Sequence, residues 1–157
     1  MRVLLTGHKG YIGAVAGPLL RDAGHEVVGM DTDLFAGCEF GSSRQEIPEI
    51  RKDIRDLTKK DLEGFDAVVH LAALSNDPLG NLNASLTYEI NHKASVQLAE
   101  LAKATGVKRF VFSSSCSTYG AGGDTFRDET AALNPVTPYG EWFLTMLADP
   151  EEAPPTN

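Results

Sequence analysis

The first residues able to do chemistry are three glycines spaced three apart, Gly7, Gly10 and Gly13, which directly follow an apolar run that begins at Val3. A chain leaving a buried strand here must turn tightly, bring its backbone against an anion, and start a helix whose N–H groups face that anion. Glycine permits each step because it has no side chain. The pattern predicts a turn that binds the pyrophosphate of a dinucleotide, although glycine spacing alone also fits an ordinary turn.

A carboxylate stands where such a site would need one. A second apolar run, residues 26–30, ends in Asp31, which we expect to accept hydrogen bonds from both hydroxyls of the adenosine ribose. Asp33 adds a second negative charge, and neither Arg nor Lys occurs in the ten residues after it to neutralise a 2′-phosphate. The sequence therefore favours NAD over NADP, the alternative being that Asp31 only caps a turn.

The glycine turn must be followed by a helix, and the pattern that comes next is helical. Apolar residues fall roughly on one face before a stop at Ala23-Gly24: Tyr11, Ile12, Val15, Leu19 and Leu20. Pro18 lies beyond the first turn of this helix and should remove one of its hydrogen bonds.

Strand and helix patterns alternate along the rest of the chain. Residues 67–71 form a short apolar run, residues 86–104 carry helical periodicity closed by Gly106, and residues 109–112 form another strand. Residues 35–47, rich in glycine and serine, are typical of a loop. This alternation predicts an α/β fold with a doubly wound, Rossmann-like parallel sheet.

Composition limits the remaining possibilities. The chain has 157 residues, 42% of them hydrophobic, which suits one compact domain, and no apolar run approaches the ~20 residues of a membrane span. A net charge of −8 without a basic cluster argues against a nucleic-acid partner. Cys38 and Cys116 form no C-x-x-C pair, so no metal site is expected. Because the N-terminus enters a strand without a secretory leader, we expect a cytoplasmic location.

Several motifs together resemble the extended short-chain dehydrogenase/reductase family, in its NAD-dependent nucleotide-sugar epimerase/dehydratase branch. The resemblance covers about residues 1 to 142 and rests on a set of short motifs: Thr6-Gly7-x-x-Gly10-x-x-Gly13, Asp31, Asp53-Ile54-Arg55-Asp56, His70-Leu71-Ala72-Ala73, Asn91, Phe112-Ser113-Ser114-Ser115, Tyr119-Gly120 and Pro138-Tyr139-Gly140. It implies NAD as cofactor and a nucleotide-sugar as substrate.

The resemblance also implies residue roles. Ser115 would hydrogen-bond the substrate oxygen, and the phenolate of Tyr139 would take a proton from a sugar hydroxyl. Asp53 and Ile54 would contact the adenine ring, although Asp53 also fits a charged loop. The residues that would bind or organise the cofactor are Gly7, Gly10, Tyr11, Ile12, Gly13, Asp31, Asp53, Ile54, Leu71, Ala72, Ala73, Asn91 and Ser113. His70, inside an apolar strand, is expected to be structural.

The chain departs from the family pattern at one catalytic position. The family places a lysine four residues after its tyrosine, and here that residue is Phe143. Without the ammonium, a phenol of pKa about 10 is ionised in roughly one molecule in a thousand at pH 7, so general-base help of ~10²–10⁴-fold is mostly lost. Ser115 is followed by Cys116-Ser117, whereas the sugar 4,6-dehydratases of the family have an Asp-Glu pair there. The resemblance therefore favours epimerase-like or reductase-like chemistry over dehydration.

The expected organisation is an NAD-binding domain over residues 1–147 and a disordered tail over 148–157, without the usual C-terminal substrate domain. Family members are roughly twice as long, and the change at Phe143 suggests a frame shift or premature end. The predicted function is an NAD-dependent nucleotide-sugar epimerase/dehydratase-type oxidoreductase, weak or inactive alone. The alternatives are a non-catalytic NAD-binding module and a partner subunit, with a homodimer possible through the helices that carry Asn91 and Tyr139.

Overall fold

The computed structural model describes residues 1–38, 47–75, 83–120, 126–128, 130–137 and 140–141. Its centre is a parallel sheet of five strands in the order β3-β2-β1-β4-β5. The strands are β1 Arg2–Thr6, β2 Glu26–Asp31, β3 Glu49–Arg51, β4 Ala67–His70 and β5 Arg109–Phe112. The predicted fold class, a Rossmann-like α/β sheet, is confirmed, and the first strand lies at the centre of the sheet.

The helices follow the predicted alternation with one local difference. Helix α1 runs over Gly13–Asp22, α2 over Ala84–Tyr88 and α3 over Ala94–Ala104, with a single π turn at Glu89–Lys93 between the last two. Short 3₁₀ turns occur at Ile54–Asp56, Lys59–Leu62 and Cys116–Tyr119. In the described ranges, no helix has the length and apolar character needed to cross a membrane.

Two compact units make up the chain. The first comprises residues 1–73 and 97–113 and contains the whole sheet with α1. The second comprises residues 74–96 and the chain from 114 onward, and contains α2 and the π turn. The predicted tail 148–157 lies outside the described residues, so the domain boundary at 147 stays a prediction.

The central strands of the first unit, β1 and β4, are apolar along most of their length. Leu4 and Leu5 of β1 and Val68 of β4 are completely buried, although neighbours along a strand point to opposite faces. This is the pattern of a parallel sheet covered on both sides. Leu62 and Leu98, from a 3₁₀ turn and α3, are also fully buried and complete the core of this unit.

Helix α1 packs through glycine rather than through its apolar stripe. The sequence pattern grouped Val15 and Leu19 on one face, yet their side chains are 61% and 63% exposed. The buried positions of the helix are Gly13 and Gly17, and a Cβ at Gly17 would lie 3.5 Å from the Leu5 side chain. A glycine face lets the helix approach the sheet closely, which hydrophobic periodicity does not detect.

In the second unit, several of the buried side chains are polar. Thr87, Asn91 and Ser95 are at most 1% exposed, whereas Ile90, which the periodicity placed on the buried face, is half-buried. The hydroxyl of Thr87 donates to the carbonyl of Asn83 at 3.0 Å. Buried polar groups need such partners, so this unit is stabilised by specific hydrogen bonds as well as by apolar contact.

Truncating the centre of the sheet should be costly. We expect Leu4→Ala to lower the free energy of unfolding by about 2–5 kcal/mol, because it leaves a cavity in a fully buried site. Leu19→Ala makes the same change on the exposed face of α1 and should cost less than about 1 kcal/mol. Urea unfolding followed by circular dichroism measures both, and equal losses would contradict this assignment of the core.

Candidate cofactor site

The glycine turn leaves β1 in a conformation that requires glycine. Gly7 has φ of +72°, and its N–H donates to the carbonyl of Met30 at 2.8 Å. A Cβ at Gly7 would stand 2.7 Å from the backbone nitrogen of Ala72. The N–H of Gly10 donates back to the Gly7 carbonyl at 3.0 Å and closes the turn. The turn therefore carries no side chain at Gly7 and Gly10, where the sequence predicts an anion.

Helix α1 begins where the turn ends, and its first residue is closely enclosed. A Cβ at Gly13 would overlap the carbonyl oxygen of Gly7 and lie 2.6 Å from the Cα of His8. The N-cap residue, Ile12, gives no side-chain hydrogen bond to the first turn, and that turn has no acidic residue. Among the described residues, no side chain caps the N–H groups of this turn, although those of Ala14 and Val15 already donate to the carbonyls of Gly10 and Ile12. A helix N-terminus without a side-chain cap is the arrangement that binds anions.

Tyr11 and Ile12, both predicted to contact a cofactor, lie in this turn with exposed side chains. Tyr11 is 96% exposed and Ile12 is 60% exposed. Their place in the turn puts their backbones beside the helix N-terminus. Their predicted contact with a cofactor therefore rests on their backbone position.

The carboxylate of Asp31 is held at the end of β2 by two backbone groups. Its Oδ2 accepts the N–H of Lys9 at 3.0 Å, and its Oδ1 accepts the N–H of Asp33 at 2.9 Å. Asp33 adopts φ of +60°, which the second bond helps to fix. Each carboxylate oxygen can accept a further hydrogen bond, so Asp31 has the capacity that two ribose hydroxyls would need.

Lys9 is a residue of this region that the sequence argument missed. Its Nζ lies 2.8 Å from Oδ2 of Asp33 and 2.9 Å from Oε2 of Glu49. Hydrogen bonds to Asp33 and then Glu49 raise the pKa of Lys9, and the bond from Lys9 lowers the pKa of each carboxyl. Lys9 precedes Asp31 and lies inside the glycine turn, so it is not among the ten residues after Asp33 that lack a cation.

The segment after β4 is tied to the glycine turn by one hydroxyl. Oγ1 of Thr6 accepts the N–H of Leu71 at 3.2 Å and that of Ala72 at 3.3 Å. The same oxygen lies 2.7 Å from Nδ1 of His70. Because it already accepts from two amides, we assign its proton to a bond toward the imidazole. Leu71 and Ala72 are partly exposed and Ala73 is exposed, so this predicted contact segment borders the turn.

His70 is buried and neutral. Its exposure is 2%, and burial lowers its pKa from 6.5 to about 4. The rings of Phe110 and Phe112 lie beside the imidazole, with centroids 6.2 and 5.8 Å away. This environment fits the structural role expected from the sequence.

Asp53 and Ile54, predicted to contact an adenine ring, are engaged locally. Asp53 Oδ1 accepts the N–H of Arg55 at 2.9 Å, and Oδ2 accepts its Nη2 at 2.7 Å. The side-chain bond from Arg55 lowers the pKa of Asp53. Ile54 is only 6% exposed, so little of its side chain is available to a ligand. Their predicted contacts with adenine remain predictions.

The second unit holds Asn91 and Ser115. Asn91 is completely buried, with Oδ1 accepting the N–H of Leu74 at 2.8 Å and Nδ2 donating to its carbonyl at 3.0 Å. Ser115 is the N-cap of the 3₁₀ turn Cys116–Tyr119, with Oγ accepting the N–H of Ser117 at 3.2 Å and donating to its Oγ at 3.2 Å. Asn91 therefore organises backbone, and Ser115 has a local capping role besides its predicted catalytic one.

The first unit brings together one group of predicted site residues, at the carboxyl ends of β1, β2 and β4. This group is Gly7, Gly10, Gly13, Asp31, Leu71 and Ala72. Ser113, exposed and directly after β5, belongs to the same unit, with its N–H 3.4 Å from the His70 carbonyl. Tyr139 and Phe143 lie outside the described residues. Within the described ranges, no three His, Cys, Asp or Glu side chains are placed to hold a metal ion.

The buried imidazole should make stability depend on pH. The unfolded chain protonates His70 near 6.5, whereas the folded chain does so only near 4, so folding loses stability as pH falls through this window. We expect this group to contribute a loss of about 2 kcal/mol between pH 7 and pH 5. Urea unfolding at both pH values measures the loss. His70→Gln should reduce it, and an unchanged loss in the variant would contradict the assignment.

Closing the glycine turn with a methyl group should damage it. Gly13→Ala is expected to lower the free energy of unfolding by at least about 2 kcal/mol, because the new Cβ meets backbone atoms that cannot move aside. Gly17→Ala is the matched control in the same helix. There the Cβ would meet only the ends of side chains, Ile47 at 3.3 Å and Leu5 at 3.5 Å, rather than backbone. The gain in helix propensity should keep the change within about 1 kcal/mol. Equal effects of the two substitutions in urea unfolding would contradict the predicted clash.

Comparison with known proteins places this geometry in a family. The model of the NAD dependent epimerase/dehydratase family matches residues 3–144. The UDP-glucose 4-epimerase of Streptomyces lividans is 35% identical over 153 residues, which are 92% of this chain and 45% of that protein. The chain thus spans about half the length of the curated relatives it matches.

Solved structures agree with that match. The structure of MoeE5 in complex with UDP-glucose and NAD is 32% identical with a TM-score of 0.79, covering 92% of this chain and 46% of that one. A UDP-glucose-4-epimerase from Stenotrophomonas maltophila, with bound NAD and formylated UDP-arabinopyranose, is 31% identical with a TM-score of 0.79, covering 94% and 46%. The chain belongs to the NAD dependent epimerase/dehydratase family.

Proposed function

We propose that this chain binds NAD at the carboxyl edge of its sheet, between the glycine turn and Asp31. The observation that carries the proposal is the fixed carboxylate of Asp31, bonded through the N–H of Lys9 to a glycine turn that has no room for a Cβ at Gly7 or Gly13. Both similar structures described above contain NAD. This supports the same cofactor here.

The residues present fit the chemical groups of NAD. The pyrophosphate would lie at the bare backbone of Gly7 and Gly10 and at the N-terminus of α1, whose first turn lacks a side-chain cap. Asp31 would take the adenosine ribose hydroxyls through its remaining lone pairs. Thr6, by holding Leu71 and Ala72 against the turn, would keep the β4 edge of the site in place.

The reaction proposed is that of an NAD-dependent nucleotide-sugar epimerase/dehydratase-type oxidoreductase. When bound, NAD would supply the acceptor for a hydride that leaves a carbon of the sugar. Ser115 would hold the sugar oxygen through its hydroxyl, which must rotate away from Ser117 to do so. Tyr139 would take the proton from that oxygen. The UDP-glucose 4-epimerase and the MoeE5 complex with UDP-glucose described above support a uridine diphosphate sugar as the substrate class.

Turnover by this chain is proposed to be weak, because Phe143 stands where the family resemblance requires lysine. With no ammonium from residue 143, the phenol of Tyr139 would stay protonated at neutral pH. This same substitution favours the second candidate function, a non-catalytic NAD-binding module. Binding without turnover selects the second function, and turnover with UDP-glucose above background selects the first.

Two further properties, the oligomeric state and the cellular location, are also proposed. A homodimer, or a role as partner subunit, would use the helices named from the sequence, and light scattering tests the former. A cytoplasmic location is also proposed, and cell fractionation tests it. A substrate-binding part supplied by further chain or by a partner would be needed for full activity.

Calorimetric titration of the purified chain with NAD and with NADP tests the proposed binding. We expect saturable NAD binding and weaker NADP binding, with Asp31→Asn lowering NAD affinity by about tenfold because one acceptor oxygen and a charge are lost. Asp22→Asn removes a carboxylate from the far end of α1, where it pairs with Arg21, and should leave NAD affinity unchanged. Lack of NAD binding by the unmodified chain would refute the proposal.

A further inference from the structure

The ammonium of Lys9 lies between two carboxylates that come from different strands. Asp33 follows β2 and Glu49 begins β3, and their oxygens lie 2.8 and 2.9 Å from Lys9 Nζ. The side chains of Lys9 and Asp33 are only 24% and 17% exposed, so solvent screens their attraction incompletely. Nε2 of His8 lies 3.1 Å from Glu49 and adds to this cluster.

This cluster adjoins the carboxylate proposed to hold the ribose. The backbone N–H groups of Lys9 and Asp33 both donate to Asp31, at 3.0 and 2.9 Å. A phosphate on the ribose 2′ oxygen would therefore meet the ammonium of Lys9 and its two carboxylates together. Arg51, which pairs with Asp31 in the sheet register, is a second cation near Asp33.

We propose that Asp33 and Glu49 keep Lys9 engaged and thereby make the site select NAD over NADP, so that Glu49 is a specificity-determining residue. The inference rests on the proposed NAD site. On this proposal, the preference for NAD over NADP comes from the ion pairs that occupy Lys9 as well as from the charge of Asp31.

The physical reason is competition for one ammonium. A 2′-phosphate would gain from Lys9 only by replacing carboxylates that already bind it, and the displaced carboxylates would repel the phosphate. A ribose hydroxyl carries no charge and does not compete. Removing both negative charges while keeping the polar shape should therefore release Lys9 to a phosphate and affect NAD much less.

The test is the ratio of the dissociation constants for NADP and NAD, measured by calorimetry at low ionic strength. In the double variant Asp33→Asn/Glu49→Gln, we expect this ratio to fall at least about tenfold from that of the unmodified chain. Asparagine tolerates the positive φ at position 33, so the backbone can persist. Glu49→Gln alone, at an exposed side chain, should give a smaller fall and provides a second variant if the double one does not fold.

Two further variants separate this mechanism from a general charge effect. Adding Lys9→Met to the double variant should abolish the gain for NADP, because the ammonium that receives the phosphate is gone. Glu26→Gln also removes a carboxylate from an ion pair, with Arg2 at 3.0 Å, at the opposite end of β2, and should leave the ratio unchanged.

Each result has a definite meaning. A gain that survives Lys9→Met would show that the carboxylates act by repulsion or by holding Arg51 rather than by holding Lys9, and would overturn the inference. NAD binding by the unmodified chain with an unchanged ratio in the folded variants would overturn the inference and leave the proposed function standing. Absence of NAD binding by the unmodified chain would overturn the proposed function, and the inference with it.

Discussion

The backbone of Gly7 approaches that of Leu71 and Ala72 so closely that no side chain could stand between them. This approach joins the ends of two neighbouring parallel strands, and the positive φ of Gly7 directs the chain from there toward α1. The buried hydroxyl of Thr6 stabilises this contact, because it bonds both to the imidazole of His70 and to the N–H of Leu71. The position of the turn, the start of the helix and the edge of β4 all depend on this contact.

Much of the fold follows from the sequence because four of its five described strands are mainly apolar runs. Residues 2–6, 26–31, 67–70 and 109–112 pair in parallel as the alternation with helices predicts. Strand β3 escaped prediction because two of its three residues, Glu49 and Arg51, are charged and exposed. The buried face of α1 was also not predicted, because the residues that pack there are glycines, which give no hydrophobic signal.

The candidate site divides along the same line. Gly7, Gly13 and Asp31 are local features, set by a turn and a strand end, and the sequence located them. The contact between Lys9 and Glu49 joins residues 40 apart and depends on the register of an unpredicted strand. Asn91 was assigned to the site from the resemblance alone. In the structure, its side chain bonds the N–H and the carbonyl of Leu74 and so holds the backbone there. Tyr139 and Phe143 fall outside the described residues, so the lysine replacement stays a prediction of the sequence.

The two outer strands of the described sheet differ in how readily another strand could pair with them. β3 has three residues, and Glu49 and Arg51 put opposite charges along that edge. β5 is longer, and it exposes more than half of Val111 beside the single charge of Arg109. Short, charged edges discourage strand addition, whereas longer apolar ones invite it. Glu49 therefore has a second consequence unrelated to any ligand, because it makes the β3 edge the poorer template for adding a strand.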